Sequence, residues 1–337
     1  MKVLVIGGTR FLGHYAAETL ARRGHEVLVF HRGMHREASC EGGPGAPEHI
    51  HADRHDRAAL DAAVARVEAV VDIDARNDEN SRALVELAQG RVSRVVFVSS
   101  VHVYQGLDEE PTQPVPFREE TSLLRSELLY PYRGMGAGMD DFDALLLERG
   151  ARAALTDAAT SVVALRMPQI YGPRDYFARE YPWIRAAQDG RSVLLMGTGL
   201  SWLVQRVWVR DAALATALAV ETASTGFRAF NVGEWEVATT KQLAQAVGEV
   251  LGHRFEVAAV PDEILPPHLA WLGHKAQHQW ADTSAFRRWS GFQELGPASD
   301  ALRETVAWHV EHPPSEETWP APDYAAEDEI LQLLREG

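Results

Sequence analysis

The first 32 residues constrain the fold of this chain more than any other stretch of it. Residues 2–6 are a short apolar run without polar alternation, as expected for a central parallel strand covered on both faces. A glycine-rich turn follows at residues 7–13, and residues 12–23 continue with helical periodicity up to Gly24. A second strand is predicted at residues 26–30. This order of elements predicts a unit that binds the phosphates of a dinucleotide.

Glycine suits this turn because a backbone without Cβ lets a pyrophosphate approach the first amide groups of the helix. There, unpaired N–H groups and the positive end of the helix dipole favour an anion. We predict that Gly7 makes the tight turn and that Gly13 lets the helix pack on the strand. Arg10 stands between them, where the usual pattern has a glycine, and adds a cation beside the phosphates. The predicted cofactor contacts in this loop are Gly7, Thr9, Arg10, Phe11, Leu12 and Gly13.

The end of the second strand bears on which dinucleotide binds. An acidic residue about 20 positions after the glycines normally holds a free ribose 2′-hydroxyl, whereas a 2′-phosphate needs an arginine. The chain has no carboxylate in this place and reads His31-Arg32-Gly33. Arg32 and Arg10 together favour NADP(H) over NAD(H), the alternative being that both are solvated surface cations. Further along, Asp53 either accepts a hydrogen bond from the adenine amino group or caps the following helix.

The alternation of strands and helices continues beyond this unit. Strands are predicted at residues 48–52, 68–74, 94–98 and 161–166, with helices at 57–67 and 80–90. Right-handed crossovers between such units produce a doubly wound parallel sheet with ligands at the carboxyl ends of its strands. We therefore predict a Rossmann-like α/β fold, with a dinucleotide-binding domain over residues 1–166 to which parts of the C-terminal half return.

The second half of the chain alternates less regularly. It contains predicted helices at residues 176–189, 211–221, 239–251 and 298–311 and short strands at 192–196, 227–232 and 255–259. These elements predict a smaller C-terminal substrate lobe, mainly over residues 167–313. Residues 314–337 are predicted to be an acidic, weakly packed tail that closes with a short helix near 328–335.

Composition excludes several classes of function. The net charge of −15 opposes attraction to nucleic acids and anionic lipids, which depends on basic patches. The single cysteine excludes a disulfide framework, and no apolar run approaches the roughly 18 to 20 residues that span a bilayer. We expect a cytoplasmic protein with a small-molecule substrate and neither nucleic-acid nor membrane partners. His49 and His51 alternate along a strand, but His55 falls in the next turn without an acidic ligand nearby, so we predict no metal site.

The carboxyl end of the strand at residues 94–98 is the predicted place for catalysis. Residues 99–104 read Ser-Ser-Val-His-Val-Tyr and leave the strand at that edge, where Ser99 and Ser100 can reach a bound cofactor or substrate. A helix predicted from near Tyr132 to Gly150 places Tyr132 on its first turn, facing Ser100. The long acidic loop at residues 106–131 is predicted to form a wall of the substrate cleft.

These residues resemble, in order and spacing, the extended short-chain dehydrogenase/reductase superfamily, in its epimerase/dehydratase branch, over about residues 1–313. The segments at 7–13 and 204–211 look closest to an atypical branch that includes the chloroplast stem-loop RNA-binding proteins and reductase-like members. The resemblance implies a catalytic Ser/Thr, Tyr and Lys set, with the tyrosine and lysine four residues apart on one helical face. Ser100 and Tyr132 match this set. Gly136 stands where the family has the lysine that holds the nicotinamide ribose and lowers the tyrosine pKa.

The missing lysine favours reduction. An unperturbed tyrosine has a pKa of about 10, so at neutral pH it donates protons and is almost never a base. We expect Tyr132 to protonate a carbonyl oxygen as hydride arrives from NADPH, while Ser100 polarises that oxygen. His102 or Tyr104 would assist. The substrate expected is a small-molecule or natural-product carbonyl compound.

The sequence is also compatible with other functions. The family's nucleotide-sugar enzymes carry an asparagine and an arginine for the diphosphate where this chain has Gln169 and Val204, with Arg206 displaced. A nucleotide-sugar epimerase or dehydratase is therefore one alternative. A non-catalytic NADP(H)-binding sensor is another, in which Ser100 caps the strand and Tyr132 is a packed aromatic residue. RNA binding is disfavoured by the net charge, and superfamily membership implies a homodimer.

The first prediction concerns the proton donor. Tyr132→Phe removes the phenol hydroxyl and is expected to reduce NADPH-dependent turnover by about 10² or more, since general acid catalysis contributes that much. Steady-state turnover of the wild type and the variant with the same carbonyl substrate checks it. Unchanged turnover would mean that the proton comes from another group.

Overall fold

The computed structural model describes residues 1–33, 46–105, 113–126, 139–272 and 278–336. The strands are β1 (Lys2–Ile6), β2 (Glu26–His31), β3 (Glu48–His51), β4 (Ala69–Asp72), β5 (Arg94–Ser100), β6 (Ser161–Met167), β7 (Gln169–Tyr171), β8 (Val193–Met196), β9 (Leu203–Val204), β10 (Arg206–Trp208), β11 (Phe227–Asn231), β12 (Ala238–Thr239) and β13 (Glu256–Ala259). The α-helices are α1 (Phe11–Arg22), α2 (Arg57–Val64), α3 (Asp78–Ala88), α4 (Ala144–Ala154), α5 (Tyr181–Gln188), α6 (Val209–Glu221), α7 (Thr240–Val250), α8 (Ser284–Ser290), α9 (Ala298–Glu311) and α10 (Tyr324–Glu336).

The main sheet is doubly wound and parallel, as predicted. Within the described residues its seven strands follow the order β11-β6-β5-β4-β1-β2-β3, and each neighbouring pair is parallel. The chain winds outward from β1 to β2 and β3 on one side, and to β4, β5 and β6 on the other. The strand order therefore switches between β1 and β4, and folds of this kind bind ligands at the carboxyl ends of the strands beside such a switch.

After Lys2, strand β1 is apolar because helices cover both faces of the sheet. Val3 and Val5 belong to a core that contains residues of α1 and α6. Leu4 and Ile6 point to the opposite face, into a second core formed with α2, α3 and α4. Burial on both faces explains why the opening strand shows no alternation of polar and apolar residues.

The second half of the chain contributes to both parts of the molecule. β11 pairs with β6 and extends the main sheet, and α6 packs against the same core as α1. A separate core collects Trp183 of α5, Val247 of α7 and Val306 of α9. The short pairs β8–β13, β7–β10 and β9–β12 lie outside the main sheet.

The helix predicted from residue 132 begins later than expected. Residues 139–143 are not helical, and α4 starts at Ala144 and continues past Gly150 to Ala154. The side chain of Asp143 accepts hydrogen bonds from the N–H groups of Leu145 and Leu146, so it caps the helix and ends the turn before it. Tyr132 and Gly136 lie outside the described residues, as do residues 106–112 and 127–131 of the predicted cleft wall.

Two other boundaries differ for identifiable reasons. The helix predicted at 176–189 starts at Tyr181, because the backbone before it turns through positive φ at Arg174 (70°) and Ala178 (44°). In the tail, α10 starts at Tyr324 rather than near 328, and Glu327 is the one residue of 314–336 that is buried. Its buried Glu327 lies 2.8 Å from His268, and the Trp319 indole donates to the Phe177 carbonyl at 2.8 Å.

No helix of the described ranges combines the length and the apolar character that crossing a membrane requires.

The packing of α1 on β1 gives the second prediction. A Cβ on Gly13 would stand 2.0 Å from the carbonyl oxygen of Gly7, whereas a Cβ on exposed Gly296 meets nothing within 4 Å. Gly13→Ala is therefore expected to lower the free energy of unfolding by about 3 kcal/mol or more. Gly296→Ala, the matched control, should stay within about 0.5 kcal/mol of wild type. Urea denaturation measures both, and equal effects would contradict the close approach.

Candidate active site

The turn after β1 forms a cradle of backbone. Gly7 has a φ of +82°, in the left-handed region that favours glycine, and its N–H donates to the Phe30 carbonyl at 3.0 Å. A Cβ on Gly8 would lie 2.9 Å from Val29 Cγ1, so this position is also closed to a side chain. At the start of α1 the N-cap residue, Arg10, makes no side-chain cap hydrogen bond, and the first turn carries no acidic residue. The N-terminus of α1 is therefore suited to an anion, as a dinucleotide pyrophosphate requires.

Two side chains of this turn are buried in the core, and a third stacks on an aromatic ring. Phe11 and Leu12 are buried in the core around α1, which leaves their backbone amides for a ligand. The Arg10 guanidinium lies 3.7 Å from the centroid of the Tyr176 ring, a residue that follows β6 and β7 in the chain. Arg32 follows β2, on the other side of β1 in the sheet. Arg10 therefore contacts Tyr176, and the roles of Arg10 and Arg32 toward a 2′-phosphate stay predictions.

Asp53 is not a helix cap. Its Oδ1 accepts a hydrogen bond from the N–H of His55 at 2.8 Å, while Asp56 caps α2 by accepting from Ala59 at 3.0 Å. The capping alternative is therefore wrong, because Asp53 lies three positions before the true cap, Asp56. The contact between Asp53 and an adenine amino group stays a prediction.

Sequence reasoning missed two acidic residues at the end of β4, of which Asp72 is buried and Asp74 is partly exposed. Asp72 is fully buried and forms an ion pair with Arg54 at 2.8 Å. Asp74 follows two residues later, and its Cβ lies 3.0 Å from where a Cβ on Gly7 would be. The signal available in the sequence was the Asp-Ile-Asp run directly after an apolar strand. Asp74 therefore lies against the turn after β1, on the side of the switch between β1 and β4.

Ser100 ends β5 and contacts a histidine. The chain turns through a short 3₁₀ helix at Val101–Val103, and Ser100 Oγ lies 2.8 Å from Nδ1 of His102. The same oxygen accepts the backbone N–H of His102 at 3.2 Å. Arg125 donates to the carbonyl of His102 and pairs with Asp143 at 3.2 Å, which fixes this turn against the start of α4.

Ser99 points away from the cleft. Its hydroxyl donates to Glu148 Oε1 at 2.7 Å, and Glu148 in turn receives both arms of the Arg166 guanidinium at 2.9 and 2.7 Å. All three side chains are buried. Because the Ser99 hydroxyl is used in this network, a cofactor contact at Ser99 is left to its backbone.

Tyr104 does not face the cleft either. It is fully buried, its hydroxyl donates to Asn231 Oδ1 at 2.7 Å, and it accepts from Arg166 at 2.9 Å. Burial raises the pKa of the Tyr104 hydroxyl to about 12. The expectation that Tyr104 assists catalysis is therefore wrong, since a buried phenol with both hydrogen-bond roles filled cannot reach a substrate. His102 is the remaining candidate at this edge.

Arg206, the arginine displaced from the family's diphosphate position, contacts other residues of the protein. Arg206 is buried, pairs with Glu180 at 2.9 Å and lies 4.0 Å from the centroid of the Tyr171 ring. A guanidinium that is both paired and stacked is not available to a substrate diphosphate.

His49 and His51, which the sequence analysis considered as possible metal ligands, lie close to His31 in the structure. Nε2 of His31 lies 2.9 Å from Nδ1 of His49, and the ring centroids of His31 and His51 are 4.4 Å apart. His55 is exposed in the following turn. In the part of the chain that the structure describes, no three His, Cys, Asp or Glu side chains are arranged to hold a metal ion. We call His31, His49 and His51 the histidine cluster.

Known proteins resemble this chain in sequence and in fold. Residues 3–233 match the family model described as NAD dependent epimerase/dehydratase family. A UDP-N-acetyl-alpha-D-glucosaminuronate decarboxylase of Bacillus cytotoxicus is 24% identical, over 92% of this chain and 98% of that protein. A 2-alkyl-3-oxoalkanoate reductase of Stenotrophomonas maltophilia is 32% identical, over 67% of each chain. The chloroplast stem-loop binding protein of 41 kDa b from Arabidopsis thaliana is 24% identical, over 74% of this chain and 63% of that protein.

Solved structures agree on the architecture. A UDP-glucose-4-epimerase from Stenotrophomonas maltophila, with bound NAD and formylated UDP-arabinopyranose, superposes with a TM-score of 0.70 at 22% identity. The match covers 93% of this chain and 98% of that one. At this identity the likeness establishes the fold and leaves the substrate undetermined.

The buried ion pair between Arg166 and Glu148 gives the third prediction. Glu148→Ala leaves Arg166 charged and unpaired in the interior, which is expected to cost about 3 to 5 kcal/mol of unfolding free energy. The matched control is Glu18→Ala, which breaks the 2.6 Å pair with Arg22 on the surface of α1 and should cost about 1 kcal/mol or less. Chemical denaturation compares the two, and a small effect at Glu148 would show that the pair is not needed.

Proposed function

The chain belongs to the NAD dependent epimerase/dehydratase family, and we propose that it is an NADP(H)-dependent reductase of a small-molecule carbonyl compound. The backbone amides at the start of α1 bind the pyrophosphate, with Gly7 and Gly13 keeping the approach open. Arg32 holds the 2′-phosphate, and Asp53 accepts from the adenine amino group. When bound, NADPH supplies the hydride.

The observation that carries the proposal is the contact between Ser100 Oγ and His102 Nδ1 at the carboxyl end of β5. When His102 donates to Ser100 Oγ, the serine O–H is free to point at the carbonyl oxygen of a substrate. The backbone N–H of His102 donates to the same oxygen, and two donors on one hydroxyl make its own proton a stronger donor. Ser100 therefore polarises the carbonyl, and His102 acts through it.

A proton must reach the substrate oxygen as hydride adds to the carbon. Tyr132 donates it in this proposal, because a phenol without a neighbouring lysine keeps its proton at neutral pH. Proton donation needs no ionised tyrosine, whereas abstraction of a proton from an alcohol does. Gly136 at the lysine position therefore directs the site toward reduction.

The substrate class follows from what the second half of the chain offers. Arg206 is taken up by Glu180 and Tyr171, which removes one cation that would hold a diphosphate. The relative named as a 2-alkyl-3-oxoalkanoate reductase supports an oxoacid or related ketone as the substrate. We place the enzyme in the cytoplasm as a homodimer, in keeping with the sequence expectations.

A nucleotide-sugar epimerase or dehydratase is the second candidate. It is favoured by the decarboxylase relative, which aligns along 92% of this chain, and by the solved neighbour that carries NAD and a UDP-sugar. A nucleotide-sugar enzyme of this kind would need a diphosphate site that does not use Arg206.

Two substrate panels separate these functions. The purified protein is incubated with NADPH and a panel of 3-oxoacids and ketones, and separately with NAD and a panel of UDP-sugars. Oxidation of NADPH by members of the first panel supports the reductase. Conversion of a UDP-sugar without ketone reduction would replace it with the second candidate, and cofactor binding without turnover in either panel would indicate a sensor.

The fourth prediction tests Ser100. Ser100→Ala is expected to lower kcat by about 10² to 10³ while leaving the affinity for NADPH unchanged, since one donor to the developing oxyanion is lost. Ser93→Ala is the control: Ser93 lies just before the other end of β5, and its hydroxyl donates to the Glu68 carbonyl. Full activity of Ser93→Ala together with unchanged kcat of Ser100→Ala would contradict the assigned role.

A further inference from the structure

The histidine cluster stands at the place where dinucleotide enzymes distinguish their cofactors. His31 is the last residue of β2, close to the position from which an acidic side chain binds a ribose 2′-hydroxyl in NAD enzymes. It is followed by Arg32, which is exposed, and by Gly33, which has a φ of +75°. β3 lies at the edge of the sheet and presents His49 and His51 beside His31.

Hydrogen bonds determine where the proton of neutral His31 lies. The backbone N–H of Gly33 donates to Nδ1 of His31 at 3.1 Å, so Nδ1 carries a lone pair. The proton is then on Nε2, which donates to Nδ1 of His49 at 2.9 Å. In this form both ring nitrogens of His31 are occupied, and the imidazole offers nothing to an anion.

We propose that His31, supported by His49 and His51, recognises the 2′-phosphate of NADP(H) and makes the preference for the phosphorylated cofactor depend on pH. This inference rests on the proposed function, because it assumes that a nicotinamide dinucleotide binds at the end of β2.

Protonation of His31 converts the end of β2 from a closed to an open anion site. The second proton goes to Nδ1, which then no longer accepts from Gly33. The Gly33 N–H and the Nδ1–H of His31 become two donors next to the Arg32 guanidinium, and a phosphate has acceptor oxygens for all of them. A ribose 2′-hydroxyl carries no charge, so it gains far less from the imidazolium.

The surroundings of His31 keep it neutral until an anion arrives. Burial, followed by His51 and His49, lowers the pKa of His31 below its ordinary value. Arg32 adds a further positive charge in the turn. On the same face of the sheet α1 carries His14, Tyr15, Glu18 and Arg22, of which Glu18 and Arg22 pair with each other.

The sign of the pH dependence follows by linkage. A phosphate favours the charged form of His31, so binding NADP(H) raises a pKa that is low in the free protein and draws in a proton. The affinity for NADPH relative to NADH should therefore rise as the pH falls from 8 toward 6. A single proton limits the change in the affinity ratio to about tenfold per pH unit.

The experiment measures dissociation constants of NADPH and NADH for the full chain between pH 6 and 8, by titration calorimetry or cofactor fluorescence. His31→Gln keeps a polar side chain at this position but cannot become charged in this range. His55→Gln is the matched control, since His55 is exposed and lies outside the cluster. NADH serves as the fold control, because its affinity should be the same in all three proteins.

The inference is supported if the NADPH preference of the wild type and of His55→Gln rises several-fold toward pH 6 while that of His31→Gln stays flat or falls. A fall is allowed in the variant because the 2′-phosphate itself takes up a proton near pH 6. Identical profiles for wild type and His31→Gln would overturn the role of His31 and leave the reductase proposal intact. Failure of both cofactors to bind at any pH would overturn the two together.

Discussion

The buried ion pair between Arg166 and Glu148 is the interaction on which the arrangement of the site depends. Two charges inside a protein are stabilising only when their remaining hydrogen-bonding groups are also satisfied. Here Ser99 donates to the carboxylate, and the Tyr104 hydroxyl accepts from the guanidinium. These contacts connect β5, β6 and α4, and Tyr104 extends them to Asn231 at the end of β11. The neighbouring residue, Ser100, is thereby held at a defined place on the carboxyl edge.

A second constraint acts on the glycine-rich turn at residues 7–13. Gly13 packs so closely on the Gly7 carbonyl that any side chain there would collide with the backbone. The same loop touches the second half of the chain, because Arg10 stacks on Tyr176 and Phe11 meets the edge of that ring. Tyr176, which follows β7, therefore packs against the turn after β1. This contact gives a physical route by which the chain after β7 can affect the turn.

Local sequence patterns were sufficient to predict those features whose causes lie within a few residues of one another. The glycine turn, the apolar run of β1 and the helix at Ala298–Glu311 were all predictable, since periodicity and steric demands act over short stretches. Predictions about helix N-termini were wrong where more than one short polar side chain could cap the helix. Asp53 and Asp56 both suit a helix cap, and only the backbone geometry decides for Asp56. Asp143 likewise set the start of α4 within a run that was compatible with a longer helix.

The sequence alone determined the doubly wound sheet, the glycine-rich turn after β1 and the family, because these follow from the order of short motifs. The tertiary structure decided which polar residues remain available for chemistry. Tyr104 donates a hydrogen bond to Asn231, 127 positions away in the chain, and Arg206 donates one to Glu180, 26 positions away. Both side chains are therefore unavailable to a substrate. Such pairings depend on which distant elements the fold brings together at low dielectric, and no local pattern records them.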